Sequence, residues 1–271
     1  MSKNFSDYQE TKPIKSRVKK GNGFLSILFC MLLFGSVIFL ASTLSGVLTV
    51  GNFNIGFNST MIKVKEHSYY AVTMGEYDTL ADAETVASGT SVMGAGSYIW
   101  ENNKKYIIIG SVYDNIDDAK KVKDNITNTN YTIDIKEIKF NQLKCDLKDL
   151  TKEQRKCVKN SLDYINDVYK QCYTYSIKYD KGEVVGTVVS SGLNTLNGNI
   201  KVESSRLDSI NSVSATTFTL NLKNAYVAMS NQIDSAVLKV IEGSSANKDL
   251  KYLATSIAII KYNLYTQLSS I

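Results

Sequence analysis

Few residues outside the apolar N-terminal stretch carry groups that could do chemistry. They are one histidine, His67, and three cysteines, Cys145, Cys157 and Cys172. His67 has no metal-ligating or catalytic partner near it in the sequence, so it is interpreted as a solvated linker residue. Zinc sites use Cys-x-x-Cys spacings or a nearby histidine, and the cysteines show neither. Because a Gly-x-Ser-x-Gly elbow and a P-loop are also absent, the sequence predicts no catalytic residue, no metal and no cofactor.

The cysteines leave two disulfide pairings open. Cys157 and Cys172 are fifteen residues apart on one predicted helix. A helix rises about 1.5 Å per residue, so their separation of about 22 Å excludes a bond between them within one chain. Cys145 could pair with either of them, and one thiol would then remain free.

A short sequence pattern occurs twice, at residues 77–83 and 113–119. It marks the first secondary-structure elements that could position a site. Each copy follows a run of β-branched and aromatic residues, which suit a strand. Each run ends in a glycine, Gly75 or Gly110, where the chain is expected to turn. Each copy leads into a helix-like segment, so the pattern predicts a strand, a turn and a capped helix, used twice.

Two further strands complete the predicted domain. Residues 97–101 indicate a strand that ends in a hairpin turn, and residues 131–138 alternate with period two, as half-buried strands do. Thr79 or Asp78 can cap the first helix through its side-chain oxygen. Residues 68–141 therefore predict the order βαββαβ, a four-stranded antiparallel sheet with two helices on one face.

This stretch resembles the SPOR (sporulation-related repeat) domain of bacterial envelope proteins. The resemblance is carried by Tyr-Tyr-Ala-Val-Thr-Met-Gly-Glu-Tyr at 69–77, by Tyr-Ile-Ile-Ile-Gly-Ser-Val-Tyr at 106–113, and by the helices with Asp82-Ala83-Glu84 and Asp118-Ala119. It covers about a quarter of the chain. It implies a non-catalytic domain that binds peptidoglycan glycan strands stripped of their stem peptides, at division septa and during sporulation.

The resemblance also implies a glycan site on the sheet face that carries no helices. Thr73 occupies a position where the family frequently has Gln, and it keeps a hydroxyl that could bond a sugar. Glu76 departs from the small polar residue that is usual after the glycine, which puts the specificity for stripped glycan in doubt. Aromatic rings stack on sugars, and Tyr98 and Trp100 alternate on one strand; the alternative is that they fill the core. The predicted groove consists of Thr73, Glu76, Tyr98, Trp100 and Tyr106.

The N-terminal quarter predicts a membrane anchor. Residues 1–22 are polar and carry lysines and an arginine, whereas residues 23–50 contain no charge and are long enough to span a bilayer. The preceding basic residues place the N-terminus in the cytoplasm and the rest of the chain outside it. A signal peptide cleaved near residues 41–43 is the alternative. Residues 51–67 indicate a linker, and the formal charge of +5, without a basic and aromatic patch, does not predict nucleic-acid binding.

The C-terminal half, residues 142–271, predicts a helical bundle. Thr151 and Gln154 form a capping-box pattern at its start. Apolar stripes with steps of three and four residues predict four amphipathic helices with short turns, an arrangement typical of antiparallel bundles. These helices begin near Thr151, Val184, Ala215 and Asn247.

The expected fold class is α+β: a single transmembrane helix, then a βαββαβ SPOR-like domain, then an all-α helical bundle. The expected function is that of a non-enzymatic, single-pass cell-membrane protein that binds peptidoglycan glycan in cell division or sporulation and recruits division or sporulation proteins through its helices. The alternative is a protein–protein adaptor of the cell envelope whose SPOR-like domain has lost glycan binding. Glu76 and Thr73 favour the adaptor slightly.

Overall fold

The computed structural model describes residues 60–127, 130–243 and 246–270, which belong to one compact unit. These residues contain six helices and two antiparallel sheets. The strands are β1 (Met61–Val64), β2 (His67–Tyr77), β3 (Tyr98–Asn102), β4 (Lys105–Tyr113), β5 (Asp134–Phe140) and β6 (Leu143–Asp146). The helices are α1 (Leu80–Val92), α2 (Ile116–Asn125), α3 (Lys152–Asp180), α4 (Gly186–Ser214), α5 (Thr217–Glu242) and α6 (Ala246–Ser269).

The larger sheet has the strand order β3-β4-β2-β5, with antiparallel neighbours throughout. Its long central strands are irregular where they pair, because the register shifts between Val72 and Glu76. Gly75 lies at this irregularity with φ +114°, a conformation that favours glycine. Gly110 lies inside β4 at the neighbouring shift, between Ile109 and Ser111, which pair with Thr73 and Val72. Both glycines were expected at strand ends; instead they allow bulges within paired strands.

Helices α1 and α2 cover one face of this sheet. The Thr79 side chain accepts a hydrogen bond from the Asp82 backbone N–H at 3.2 Å, and Asn115 caps α2 in the same way. Ala83 and Ala119 are fully buried against this face. Their small side chains let the two helices lie close to the sheet.

Helix α6 covers the opposite face of the sheet. It packs against β4, β3 and β5 on one side and against α3 and α5 on the other. Its residues 253–259 are all buried, so the helix has little solvent-facing surface along that segment. The sheet and the bundle consequently share one large hydrophobic core, which runs from Trp100 and Phe140 into the helices.

The bundle consists of α3 to α6, with α3 and α5 each lying between α4 and α6. The predicted capping box at Thr151 is present, because its side chain and that of Gln154 each bond the other residue's backbone N–H. Helix α5 begins with a second box at Thr216 and ends at Gly243, whose φ of +76° allows a left-handed cap.

The second sheet corrects the predicted linker. Strand β1 pairs with β6 in register from Met61 opposite Asp146 to Val64 opposite Leu143. Residues 61–64 therefore form a strand, and β2 begins at His67, where residues 51–67 were expected to be a tether. Each of these two strands has only four residues, and their pairing partner is about eighty positions away, so no local pattern marks them.

The predicted fold class is wrong as stated. The described residues form an α+β protein with two antiparallel sheets rather than one, and the helices share a core with the sheet. None of the helices in the described ranges is both long enough and apolar enough to cross a membrane. The predicted transmembrane segment, residues 23–50, lies outside the described residues, as does the basic tail at 1–22.

Candidate functional site

The five residues of the predicted groove do not line one open surface. Tyr98 and Trp100 lie on the sheet face that α6 covers. Tyr106 packs instead against the cluster beneath α1 on the other face. Thr73 is buried and its hydroxyl donates to the Asp134 carbonyl at 3.3 Å, and Glu76 pairs with a lysine of β5. The structure brings Tyr98 and Trp100 together but separates them from Tyr106.

The two aromatic side chains under α6 have their rings occupied by tyrosines of that helix. Trp100 is only 5% exposed and lies edge-on to Tyr262, with ring centroids 5.4 Å apart. Tyr98 lies 5.2 Å from Tyr252 in a tilted arrangement. Edge-to-face and tilted contacts of this kind are favourable between aromatic rings. In this structure the aromatic face of the sheet therefore serves as packing surface for α6.

A buried polar cluster lies within this same interface, at the start of β2. The Lys261 ammonium donates to the Tyr69 hydroxyl at 2.6 Å and lies 2.8 Å from His67 Nε2. It also lies 4.7 Å from the ring centroid of Tyr69 and 4.8 Å from that of Phe140, within cation–π range. His67 stacks on Phe140 with centroids 4.2 Å apart. Lys261, His67 and Tyr69, with Phe140 beneath them, form what we term the Lys261 cluster.

Burial governs the protonation of the Lys261 cluster. The Lys261 side chain is 1% exposed, and desolvation lowers its pKa to about 7, although Asp114 favours the charged form. Desolvation, together with the Lys261 charge, lowers the pKa of His67 to about 4. Desolvation also raises the pKa of Tyr69 well above its ordinary value. The cluster is thus driven towards its neutral forms, with the lysine near its midpoint at neutral pH.

The sequence interpretation missed the Lys261 cluster. His67 was expected to be a solvated linker residue, but it begins a central strand and is half-buried between Phe140 and Lys261. Lys261 lies four positions after Ile257 and three before Leu264, within the apolar stripe of the last helix. A lysine at a core position of an amphipathic helix was the available signal, because such a residue needs a buried partner.

The three cysteines outside the N-terminal stretch are free thiols. Neither of the two open disulfide pairings is formed, and burial raises the pKa of Cys145 to about 11 and that of Cys172 to about 12. Thiols with raised pKa values are poor nucleophiles at neutral pH. In the described part of the chain, no group of three or more His, Cys, Asp and Glu side chains is arranged to hold a metal ion.

Exposed aliphatic side chains concentrate on two helices of the bundle, α4 and α5. Of the large apolar residues exposed in the described ranges, most lie on α4, on α5 or just before α4. They are Val185, Val188, Val202, Val213, Leu220, Val227, Leu238 and Ile241. We refer to these residues as the outer bundle face.

Comparisons of this chain with protein-family models, with curated proteins and with solved structures gave no match. Membership of the SPOR family therefore stays a prediction from residues 69–119.

Proposed function

We propose that this protein is a non-catalytic adaptor of the bacterial cell envelope, in which the βαββαβ unit is a structural support and the helical bundle binds protein partners. The observation that carries the proposal is the coverage of the sheet by α6. The face that the resemblance assigns to glycan is occupied by Tyr252 and Tyr262 of the same chain. A sugar would have to displace a buried helix to reach Trp100.

The outer bundle face supports a role in protein binding. Val202 on α4 is 50% exposed and Leu238 on α5 is 64% exposed. Single exposed aliphatic residues are common, whereas several on adjacent helices suit contact with another protein. The N-terminal half of α4 adds little charge to this surface, since its exposed residues there are mostly Ser, Thr, Asn and Val.

Glycan binding is the alternative to the adaptor function. Co-sedimentation of the full-length protein with peptidoglycan sacculi, before and after amidase treatment, separates the two. We expect no binding above that of an unrelated protein in either sample. Binding that rises after amidase treatment and falls in Trp100→Ala would overturn the adaptor proposal and restore the glycan function.

Site-specific photo-crosslinking in cells tests the adaptor role directly. A photoreactive residue at Val202 or Leu238 is expected to give a discrete adduct, which a second substitution, Val188→Glu, weakens. Leu80 on α1 is the control, because it is an exposed aliphatic residue at the end of that helix away from α5, and it is expected to give none. Equal labelling at Leu80, or no adduct at Val202 and Leu238, would contradict the proposal.

A further inference from the structure

The nitrogens of Lys261 and His67 constrain each other's protonation. An ammonium group has three N–H donors and no acceptor. When Lys261 is charged, His67 Nε2, at 2.8 Å, must therefore accept a hydrogen bond from it. The other ring nitrogen, Nδ1, faces the Lys65 carbonyl, which suits the tautomer that carries its proton there. The contact thus requires a neutral imidazole whenever the lysine carries its charge.

Protonation of His67 would turn this contact into a repulsive one. Nε2 would then carry a hydrogen directed at the ammonium, and two donors cannot share a hydrogen bond. Two positive charges would also meet in a site where Lys261 is buried and its other hydrogen-bond partner is the hydroxyl of Tyr69. Since the lysine belongs to α6 and the histidine to β2, the strain falls on the contact between helix and sheet.

We propose that the contact between Lys261 and His67 is a proton-sensitive latch, and that protonation of His67 releases α6 from the sheet and exposes Trp100. The inference does not rest on the adaptor role, because it concerns only how the helix is held. Release would uncover the aromatic face of the sheet, so acidification would change which surfaces the protein presents.

Other ionisable groups face the latch from the elements packed around it. Asp114, after β4, attracts the Lys261 charge, and Lys170 on α3 repels it. Burial raises the pKa of Asp114, so its protonation in acid removes that attraction and adds to the effect of His67. Asp163 on α3 lies near Tyr265, and desolvation raises the pKa of its carboxyl to about 6. Its protonation in acid removes a partly buried charge and so favours the docked state. Tyr69, Tyr169 and Tyr265 also face the latch and stay neutral in acid. The exposed side chains Lys65, Glu66 and Lys139 lie beside His67.

The chain offers two internal probes for the latch. Trp100 is its only tryptophan and His67 its only histidine, so tryptophan emission and histidine NMR signals each report one residue. Lowering the pH of the full-length protein from 7 to 3 is expected to shift Trp100 emission to longer wavelength and to increase its quenching by acrylamide. Far-UV circular dichroism is expected to stay unchanged, because the helices separate from the sheet without melting.

Two variants separate the latch from general acid denaturation. His67→Gln keeps a neutral acceptor for Lys261 and is expected to abolish the emission shift, whereas Asp163→Asn is expected to retain it. The NMR titration of His67 in the unmodified protein should have a midpoint below its ordinary 6.5 and should coincide with the emission change. No emission shift, a shift accompanied by loss of helical signal, or a histidine midpoint separate from the shift would each overturn the proposal.

Discussion

Trp100 of β3 lies edge-on against Tyr262 of α6, and this contact joins the sheet to the bundle. A side chain that a glycan-binding surface would present to solvent is here 5% exposed. The relationship makes Trp100 a residue of the core, and its substitution should report stability rather than ligand affinity.

Trp100→Ala is expected to lower the free energy of unfolding by about 3–5 kcal/mol, because it leaves a cavity between β3 and α6. Urea unfolding followed by circular dichroism measures the loss. Tyr262→Ala and the double variant complete a thermodynamic cycle, in which the two rings should couple by about 0.5–1.5 kcal/mol. If Trp100→Ala left the free energy of unfolding nearly unchanged, the ring would not pack under α6.

The pKa of Lys261 predicts that the protein gains stability as the pH rises above neutrality. Burial lowers the pKa of this ammonium to about 7, from its ordinary 10.5. Between these values Lys261 binds more protons in the unfolded state than in the folded state, so its contribution raises the free energy of unfolding with pH. The rise should amount to about 1 kcal/mol per pH unit just above neutrality. Above about pH 9 the trend should reverse, because burial raises the pKa of Cys145 and of Cys172 and, at higher pH, that of Tyr69 and of Tyr169.

Urea unfolding between about pH 7.5 and pH 8.5 checks this slope, because the thiols are still mostly protonated there in both states. His67 and Asp163, with pKa values of about 4 and about 6, are almost fully deprotonated there in both states. Lys261→Met is expected to remove most of the slope and to be more stable than the unmodified protein at pH 7, since a thioether is readily buried. Lys120→Met, at an exposed site on α2, is the control and should keep the slope. An unchanged slope in Lys261→Met would disprove the assignment.

Sequence patterns predicted the parts of the fold that depend only on residues close together in the chain. Thr79 and Thr151 cap their helices because a side-chain oxygen reaches a backbone donor three positions on, and this spacing is visible in the sequence. The pairing of β1 with β6 depends on residues about eighty positions apart, so no local pattern indicated it. The alternation of Tyr98 and Trp100 predicted a shared face but not its cover, because only tertiary packing brings Tyr252 and Tyr262 there.

The candidate site was missed for a related reason. Lys261 belongs to an amphipathic helix whose stripe pattern assigns it no role, since such a pattern weighs only the apolar residues around it. The Asn- and Gly-rich residues 51–58, upstream of His67, indicate a linker, whereas the strand that His67 begins is established by pairing with Phe140. The core position of Lys261 signals that it needs a buried partner, but that this partner is His67 follows only from the packing of distant elements.

Alanine substitutions at two glycines, Gly96 and Gly198, test how closely the sheet and the bundle approach each other. A Cβ at Gly96 would lie 2.8 Å from the Tyr252 backbone nitrogen and 2.9 Å from the Gly110 carbonyl oxygen. Backbone atoms of two different elements cannot both give way cheaply, so Gly96→Ala should destabilise the fold by about 2 kcal/mol or more. Gly198 is the matched control: it lies inside α4 at an exposed position, where an added Cβ would meet no atom within 4 Å.

Gly198→Ala should therefore stabilise the protein by up to about 1 kcal/mol, because alanine loses less backbone entropy than glycine in a helix. Thermal and urea unfolding of the two variants measure the opposite signs. Gly96 donates its backbone N–H to the Gly110 carbonyl at 2.8 Å, so the loss of stability in Gly96→Ala should be accompanied by faster hydrogen exchange at that amide. If Gly96→Ala is as stable as the unmodified protein, α6 does not lie as close to Gly96 as the structure gives. The adaptor proposal would then lose its basis, because it depends on the coverage of this sheet face by α6.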